Sequence, residues 1–359
     1  MYTLILAFLT AFTLTYNSIP SIIRIANKKR LFDDPNERSS HAISTPSLGG
    51  IGIFAGVLFS VILWTPFDEF GNLQYILCAF VIMFLIGISD DLDPLTPSKK
   101  LVGQIMAAAI LVFKSDVKIT SLYGILGIST LPEPVAILLS IFTILVIINA
   151  FNLIDGINGL SGGMSTLIGF GFGYWFFVVG NLQLSIVSFS LVGACVAFLK
   201  YNWTPAKIFM GDTGSLFLGL IVSILSIKFI EMHNILPSNH PFAINAAPAV
   251  AIGIIILPLF DTLRVFTIRA MQGRSPMSPD RNHLHHLLID YGFSHMSASG
   301  VLVATQAAFI ALALYFQQIG NISLILLICF LAIASTGILH HLVRKKKRQL
   351  HLKKSQEND

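Results

Sequence analysis

Charge is what this 359-residue chain has least of: 11% of its residues are Asp, Glu, Lys or Arg, against about 25% in a soluble domain. That scarcity excludes an ordinary soluble enzyme. Cysteine is rarer still. Cys78, Cys195 and Cys329 stand apart inside apolar runs, so they read as small hydrophobes, not as a disulfide framework or a metal site. Basic residues interleaved with aromatics are missing too, and with them the signature of nucleic-acid binding. The net charge of +5 does not alter this, because residues 344–359 hold seven Lys/Arg against two acids and the remainder is neutral. Such a tail suits anionic lipid headgroups.

What the chain does have is apolar surface. Hydrophobic residues make up 54% of it, and its mean hydropathy is +0.77. The runs at 2–23, 48–64, 75–89, 101–113, 135–151, 161–179, 184–199, 214–231, 246–266, 298–316 and 322–341 are expected to be membrane helices, since a span takes roughly 20 apolar residues. The fold expected is therefore all-α and polytopic, with about eleven spans. Residues 1–343 should form one integral-membrane domain and 344–359 a basic cytoplasmic tail. The first run has no Lys/Arg before it and a basic cluster after it, the reverse of a cleavable signal peptide. With the N-terminus outside and the loops alternating, 20 Lys/Arg fall inside and three outside (Lys114, Lys118 and Lys228), as the positive-inside rule requires. The C-terminus is then cytoplasmic.

The same alternation sorts the other polar clusters, at 28–50, 90–100, 149–159, 201–215 and 269–295, onto the cytoplasmic side. A transporter more often carries ionisable groups near mid-membrane. Here they sit at helix ends, which describes an enzyme working at the inner face of a membrane.

Four constellations carry chemistry. Asp90-Asp91-Leu92-Asp93 follows the run ending at Ser89. Taken alone it is equally a solvated acidic turn or a carboxylate set for a divalent cation or a phosphate nucleophile. Asn149, Asn152 and Asp155 are spaced three apart, near one helical face, before Gly156 and Gly159, which admit a ligand close to the backbone. The competing reading is a polar seam gluing helices together. Asp212 and Thr213 open the next run within Gly211-Asp212-Thr213-Gly214-Ser215, where Asp212 is either a helix N-cap or a ligand of Mg²⁺ shared with substrate phosphates. Arg281, His283, His285 and His286 share one loop. With no cysteine nearby and no HExxH pattern, zinc is disfavoured, and the set reads as phosphate-binding or simply solvated. His41, His233, His240 and Glu231 are left as structural.

Together these motifs, in this order, resemble those of the polyprenyl-phosphate N-acetylhexosamine-1-phosphate transferases, the MraY–WecA-like glycosyltransferases. That family carries a DD motif, an NxxNxxDGxDG motif, GDTGS and a histidine-rich loop, and residues 29–41 with Gly49-Gly50 look like its first loop. The resemblance covers about residues 28–297. It implies transfer of a sugar 1-phosphate from UDP-HexNAc, most often UDP-GlcNAc, to undecaprenyl phosphate, with release of UMP. This is the initiation of a cell-envelope polysaccharide at the bacterial inner membrane. It further implies a Mg²⁺ cofactor, with Mn²⁺ as a substitute, held by Asp212 and Asp155. Asp90, Asp91 and Asp155 would be catalytic, with Asp90 set against the lipid phosphate. Asn149, Asn152, Phe209, Arg281, His283, His285 and His286 would bind substrate, Phe209 offering its ring to uracil.

The stretch 275–283 and the basic tail resemble the WecA/TagO-like branch more than the peptidoglycan branch, which takes UDP-MurNAc-pentapeptide. Asn158 stands where many members have Asp. The expected partners are UDP-HexNAc, undecaprenyl phosphate and the lipid bilayer, with a homodimer left open and nucleic acid excluded. From a different class, a nucleotide-sugar or lipid carrier without chemistry remains the alternative.

Overall fold

A computed structural model describes residues 1–31, 45–237, 239–274 and 282–357. In chain order the helices are α1 (Tyr2–Lys29), α2 (Gly49–Trp64), α3 (Leu73–Leu92), α4 (Pro97–Lys114), α5 (Glu133–Ile154), α6 (Leu160–Val178) and α7 (Leu182–Asn202). They continue with α8 (Gly211–Ile235), α9 (Ala247–Ile254), α10 (Ile256–Met271), α11 (Leu284–Tyr291), α12 (His295–Tyr315) and α13 (Asn321–Glu357). Among the described residues the only β pairing is an isolated bridge, Ser121 with Thr130. The boundaries follow local chemistry. Pro97 occupies the first turn of α4, where its missing N–H is no loss. Asn181 and Ser294 cap α7 and α12 through side-chain acceptors, and Gly292 ends α11 in the left-handed region at φ 107°.

All eleven expected runs lie on helices. By length and composition seven of these can cross a membrane, or eight if the bent pair α9–α10 counts as one. The shortfall has visible causes: α2 has 16 residues, α4 carries Lys99, Lys100 and Lys114, and α6 is diluted by five glycines.

The centre of the bundle is α8. Its most apolar stretch is 89% buried, against 22% for α1 and for α13, as suits a helix that is hydrophobic all round. Small residues let its neighbours come close: a Cβ on Gly219 would lie 2.6 Å from the Ile148 Cα of α5. Hydroxyls add cross-links, with Thr15 Oγ1 donating to Gly52 O at 3.0 Å and Ser60 Oγ to Ala7 O at 2.7 Å.

The run 246–266 was expected as one span and is instead broken by 79° between α9 and α10. Pro258 has no N–H to offer Ile254 four residues back, so the backbone there needs partners from elsewhere. Gln306 of α12 supplies them. Its Nε2 donates to Gly253 O at 2.9 Å and its Oε1 accepts the Leu257 N–H at 3.0 Å.

At the end of the bundle away from the four motifs, Glu231 accepts the backbone N–H and hydroxyl of Thr120 at 2.9 and 2.7 Å, pinning the segment before α5. The basic tail is a continuation of the 37-residue α13 and leans on α11. Lys347 Nζ lies 2.7 Å from Asp290 Oδ2, and Lys346 donates to Tyr291 O.

Candidate active site

Four helix ends meet around Asp212. The adjacent acids Asp90 and Asp91, at the end of α3, do different jobs. Asp91 faces the first turn of α8, accepting the Asp212 N–H at 2.7 Å, the Thr213 N–H at 3.0 Å and the Thr213 hydroxyl at 2.5 Å. It is an N-cap delivered from another helix. Asp90 turns to the other side, where Oδ1 accepts the Leu95 N–H at 2.7 Å and Oδ2 lies 2.5 Å from Lys100 Nζ. Lys100 also lies 2.6 Å from Asp212 Oδ2. One ammonium thus bridges two carboxylates from α3 and α8.

Asn152 donates from Nδ2 to Asp212 Oδ1 at 3.0 Å and to Ser215 Oγ at 2.9 Å, so it fixes the far oxygen of Asp212. Asn149, one turn earlier, donates instead to Gln104 Oε1 at 2.9 Å and Leu145 O at 2.8 Å. It ties α5 to α4. Asp155 was expected to continue this helical face, but α5 ends at Ile154 and Asp155 lies just beyond it at φ −76°, ψ 61°. Burial pushes its carboxyl up to about 7, opposed by the Ser161 hydroxyl donating to it at 2.5 Å and reinforced by the Asp212 charge.

The backbone around Asp212 leaves no slack. Gly49 and Gly50 donate to Phe209 O and Met210 O at 2.9 and 2.8 Å, and Phe209 N–H donates to Pro46 O at 2.7 Å. Phe209 is half-buried. Gly211 takes φ +73°, and a Cβ there would meet Ser47 O at 1.9 Å. Only glycine fits such a place.

The histidine helix closes on this group from the side. A Cβ on Gly156 would lie 2.3 Å from His285 Nε2, so the turn after Asp155 is in contact with that ring. The rings of His283 and His285 stack at 5.7 Å, and His285 and His286 are 4.2 Å apart. Burial, with His286 beside it, pushes His285 down to about 3, so it is a neutral imidazole and not a cation. His283 Nδ1 lies 2.9 Å from Asp261 Oδ2, and Asp261 Oδ1 accepts the Leu284 N–H at 3.0 Å and pairs with Arg264 Nη2 at 2.9 Å. Arg281 and most of the first loop, His41 included, lie outside the described residues.

Among the described residues no three His, Cys, Asp or Glu side chains are gathered to hold a metal ion alone. The donor set nevertheless fits a divalent cation shared with a ligand. Two carboxylates already gather around one positive charge at Lys100, and Asp155 is near enough to Asp212 to feel its charge. One or two carboxylates plus substrate phosphate oxygens is the common way for Mg²⁺ to be held.

The sequence profile of glycosyl transferase family 4 matches residues 73–230, which hold three of the four motifs. Over 309 residues, 80% of this chain and 77% of the relative, the chain is 32% identical to the decaprenyl-phosphate N-acetylglucosaminephosphotransferase of Mycobacterium leprae. Over 293 residues, again 80% of this chain and 77% of the relative, it is 31% identical to the undecaprenyl-phosphate alpha-N-acetylglucosaminyl 1-phosphate transferase of Escherichia coli (strain K12). The chain belongs to glycosyl transferase family 4.

In this glycosyl transferase family 4 member, sequence reasoning passed over residues that the structure puts at the site. Lys100 counted only toward topology, yet it joins Asp90 to Asp212. Asp261 is an acid inside an apolar run and 1% exposed, a signal for a paired functional group that was available and unused. Asn158 is 4% exposed and donates to Thr204 Oγ1 at 3.1 Å while its backbone carbonyl accepts from Ser299 at 2.6 Å. Its amide braces the loop, a donor that an Asp could supply only when protonated.

Proposed function

We propose that this chain transfers N-acetylglucosamine 1-phosphate from UDP-N-acetylglucosamine to undecaprenyl phosphate and releases UMP, at the cytoplasmic face of a bacterial plasma membrane. One observation carries the reading. The Asp90–Lys100–Asp212 bridge, the Asn152 clamp and the Gly156–His285 contact all lie where α3 and α5 end and α4, α8 and α11 begin. Phosphoryl-type transfer asks a protein for positioning and charge neutralisation, and for little covalent chemistry of its own. The convergence of carboxylates, amide and ammonium supports this reading. The names of the relatives supply the substrate class, and the positive-inside count supports the sidedness.

Within this reading Asp212 and Asp155 would hold Mg²⁺, whose chemistry is to neutralise the diphosphate. Asp90 orients the acceptor phosphate. A phosphate monoester has its second pKa near 6, so at neutral pH the nucleophile needs placing more than deprotonating. Asn152 keeps Asp212 in one orientation, and the histidine helix packs against the turn after Asp155. One phosphoric anhydride is broken and one of the same kind is made. The reaction therefore lies near equilibrium and must be drawn forward by later steps that consume the lipid product.

The test is purified protein with UDP-GlcNAc, undecaprenyl phosphate and Mg²⁺. UMP should appear only when the lipid is present, and labelled UMP should exchange into UDP-GlcNAc in a lipid-dependent way. Neither release nor exchange would leave a non-catalytic carrier as the better reading. Exchange without lipid would replace direct attack by a covalent sugar-phosphate enzyme.

A further inference from the structure

His283 differs from its two neighbours in one respect that bears on what it can recognise. Its Nδ1 faces Asp261 Oδ2 at 2.9 Å, and a carboxylate can only accept, so Nδ1 carries the proton. The remaining question is whether Nε2 carries one as well. Asp261 already has a cation: Arg264 Nη2 lies 2.9 Å from its other oxygen. One carboxylate and one guanidinium are balanced. A further proton on His283 would leave an excess positive charge where Asp261 is 1% and His283 5% exposed, which is costly away from water. Arg264 also donates to Asn282 O and lies 3.2 Å from His340 Nε2, so its charge is spent in this same cluster. At the opposite edge of the ring, Nε2 has no hydrogen-bond partner among the described residues and is not sealed from solvent.

We propose that Asp261 is a positioning residue that holds His283 as the neutral Nδ1–H imidazole. Nε2 is then a lone-pair acceptor for a hydroxyl or amide N–H of the nucleotide-sugar, not for a phosphate oxygen. For His283 this departs from the phosphate-binding reading that the sequence offered for the loop as one of two. It rests on the transferase reading for the identity of the ligand, though not for the state of the ring. An acceptor of this kind discriminates: a site built to accept from a substrate donor rejects analogues that lack it far more strongly than an apolar pocket does. Leu284 N–H, bonded to the Asp261 oxygen that Arg264 also holds, makes the arrangement rigid, because the residue after the histidine is fixed by the same carboxylate.

The experiment uses the full chain in detergent, labelled with ¹⁵N at histidine, with the His283 signals identified by their loss in His283→Gln. At neutral pH His283 should show a protonated Nδ1 and an unprotonated Nε2. A protonated Nε2 in the wild type overturns the proposal by itself, with no variant needed. In Asp261→Asn the Nδ1–H preference should be lost, and kcat/KM for UDP-GlcNAc should fall about 10–100-fold, the range for partners that orient metal-ligating histidines taken as a guide, while KM for undecaprenyl phosphate is unchanged. Nitrogen shifts of His283 that ignore the Asp261 substitution would also overturn it. If the wild type releases no UMP the transferase reading fails, and the nitrogen spectrum still decides the state of the ring.

Discussion

Asp91 and Thr213 form a closed junction between two helices: the carboxylate accepts both the backbone N–H and the hydroxyl of Thr213, at 3.0 and 2.5 Å. The end of α3 is thereby fastened to the beginning of the most buried helix of the bundle. The two acids of the DD motif consequently make different demands when removed.

Asp91→Ala should lower the stability of the detergent-solubilised protein by about 1–3 kcal/mol, the range for losing a helix cap and leaving buried donors unpaired. Asp90→Asn should leave stability nearly unchanged and cut turnover by about two to four orders of magnitude, the range for loss of a catalytic acid or base. Thermal unfolding and UMP release measured on the same preparations check the pair. An Asp91→Ala protein as stable as the wild type would remove the capping role.

Lys100 sits where a divalent cation would compete with it, between Asp90 and Asp212. Lys100→Met leaves two facing carboxylates without their common counter-ion. Mn²⁺ affinity, read by paramagnetic resonance or calorimetry, should rise several-fold while turnover falls. Weaker Mn²⁺ binding in the variant would show that the ammonium supports the ion and does not stand in for it.

The pH dependence of stability separates two buried groups of opposite sign. Asp155 is pushed up to about 7 from an unfolded value of 3.8, so the folded state holds the extra proton. Its contribution is complete below 3.8 and is lost as pH rises to about 7, at no more than about 1.4 kcal/mol per unit. His285 is pushed down to about 3 from 6.5, so the unfolded state holds the extra proton, and its contribution is lost as pH falls below 6.5. Between about 4 and 6.5 the two slopes oppose each other. In metal-free buffer Asp155→Asn should therefore lose stability on acidification relative to wild type, and His285→Gln should gain it. Parallel pH profiles for the three proteins would contradict both assignments.

Gly50 of α2 and Gly171 of α6 give a clean steric comparison. A Cβ on Gly50 would lie 2.1 Å from the Gly214 backbone nitrogen, which cannot step aside, whereas a Cβ on Gly171 meets nothing within 4 Å. Gly50→Ala should lower both folded yield and turnover. Gly171→Ala should be neutral or stabilising by about 0.5–1 kcal/mol, the helix preference for alanine over glycine. Equal behaviour of the two would mean that α2 and α8 are not in contact at that point.

The chemistry-bearing segments were legible because an apolar chain makes its polar exceptions conspicuous. Asp90, Asn152, Asp212 and His285 all stand at the convergence. The division of labour within the DD pair was not legible, since the Asp91 partners lie more than 120 positions away. Nor was the role of Asp261, whose histidine is 22 positions off and whose surroundings read simply as a membrane run. The Asn149–Asn152–Asp155 spacing was read as one helical face, and the helix stops a residue short of completing it. The broken span did have a sequence signal in Pro258, but a hydrophobicity count sees a continuous run and no missing N–H.

Gln306 acts as an angular gauge. The direction of α10 past the 79° break is set by one primary amide that must donate with one atom, to Gly253 O, and accept with the other, from Leu257 N–H. Glutamate at this position could accept but not donate, leucine could do neither, and asparagine is a methylene shorter. The aim of Asp261 and Arg264, one and two turns further along α10, is inherited from that angle. A residue on a different helix, outside all four motifs, thus calibrates the bearing on which the histidine helix is held.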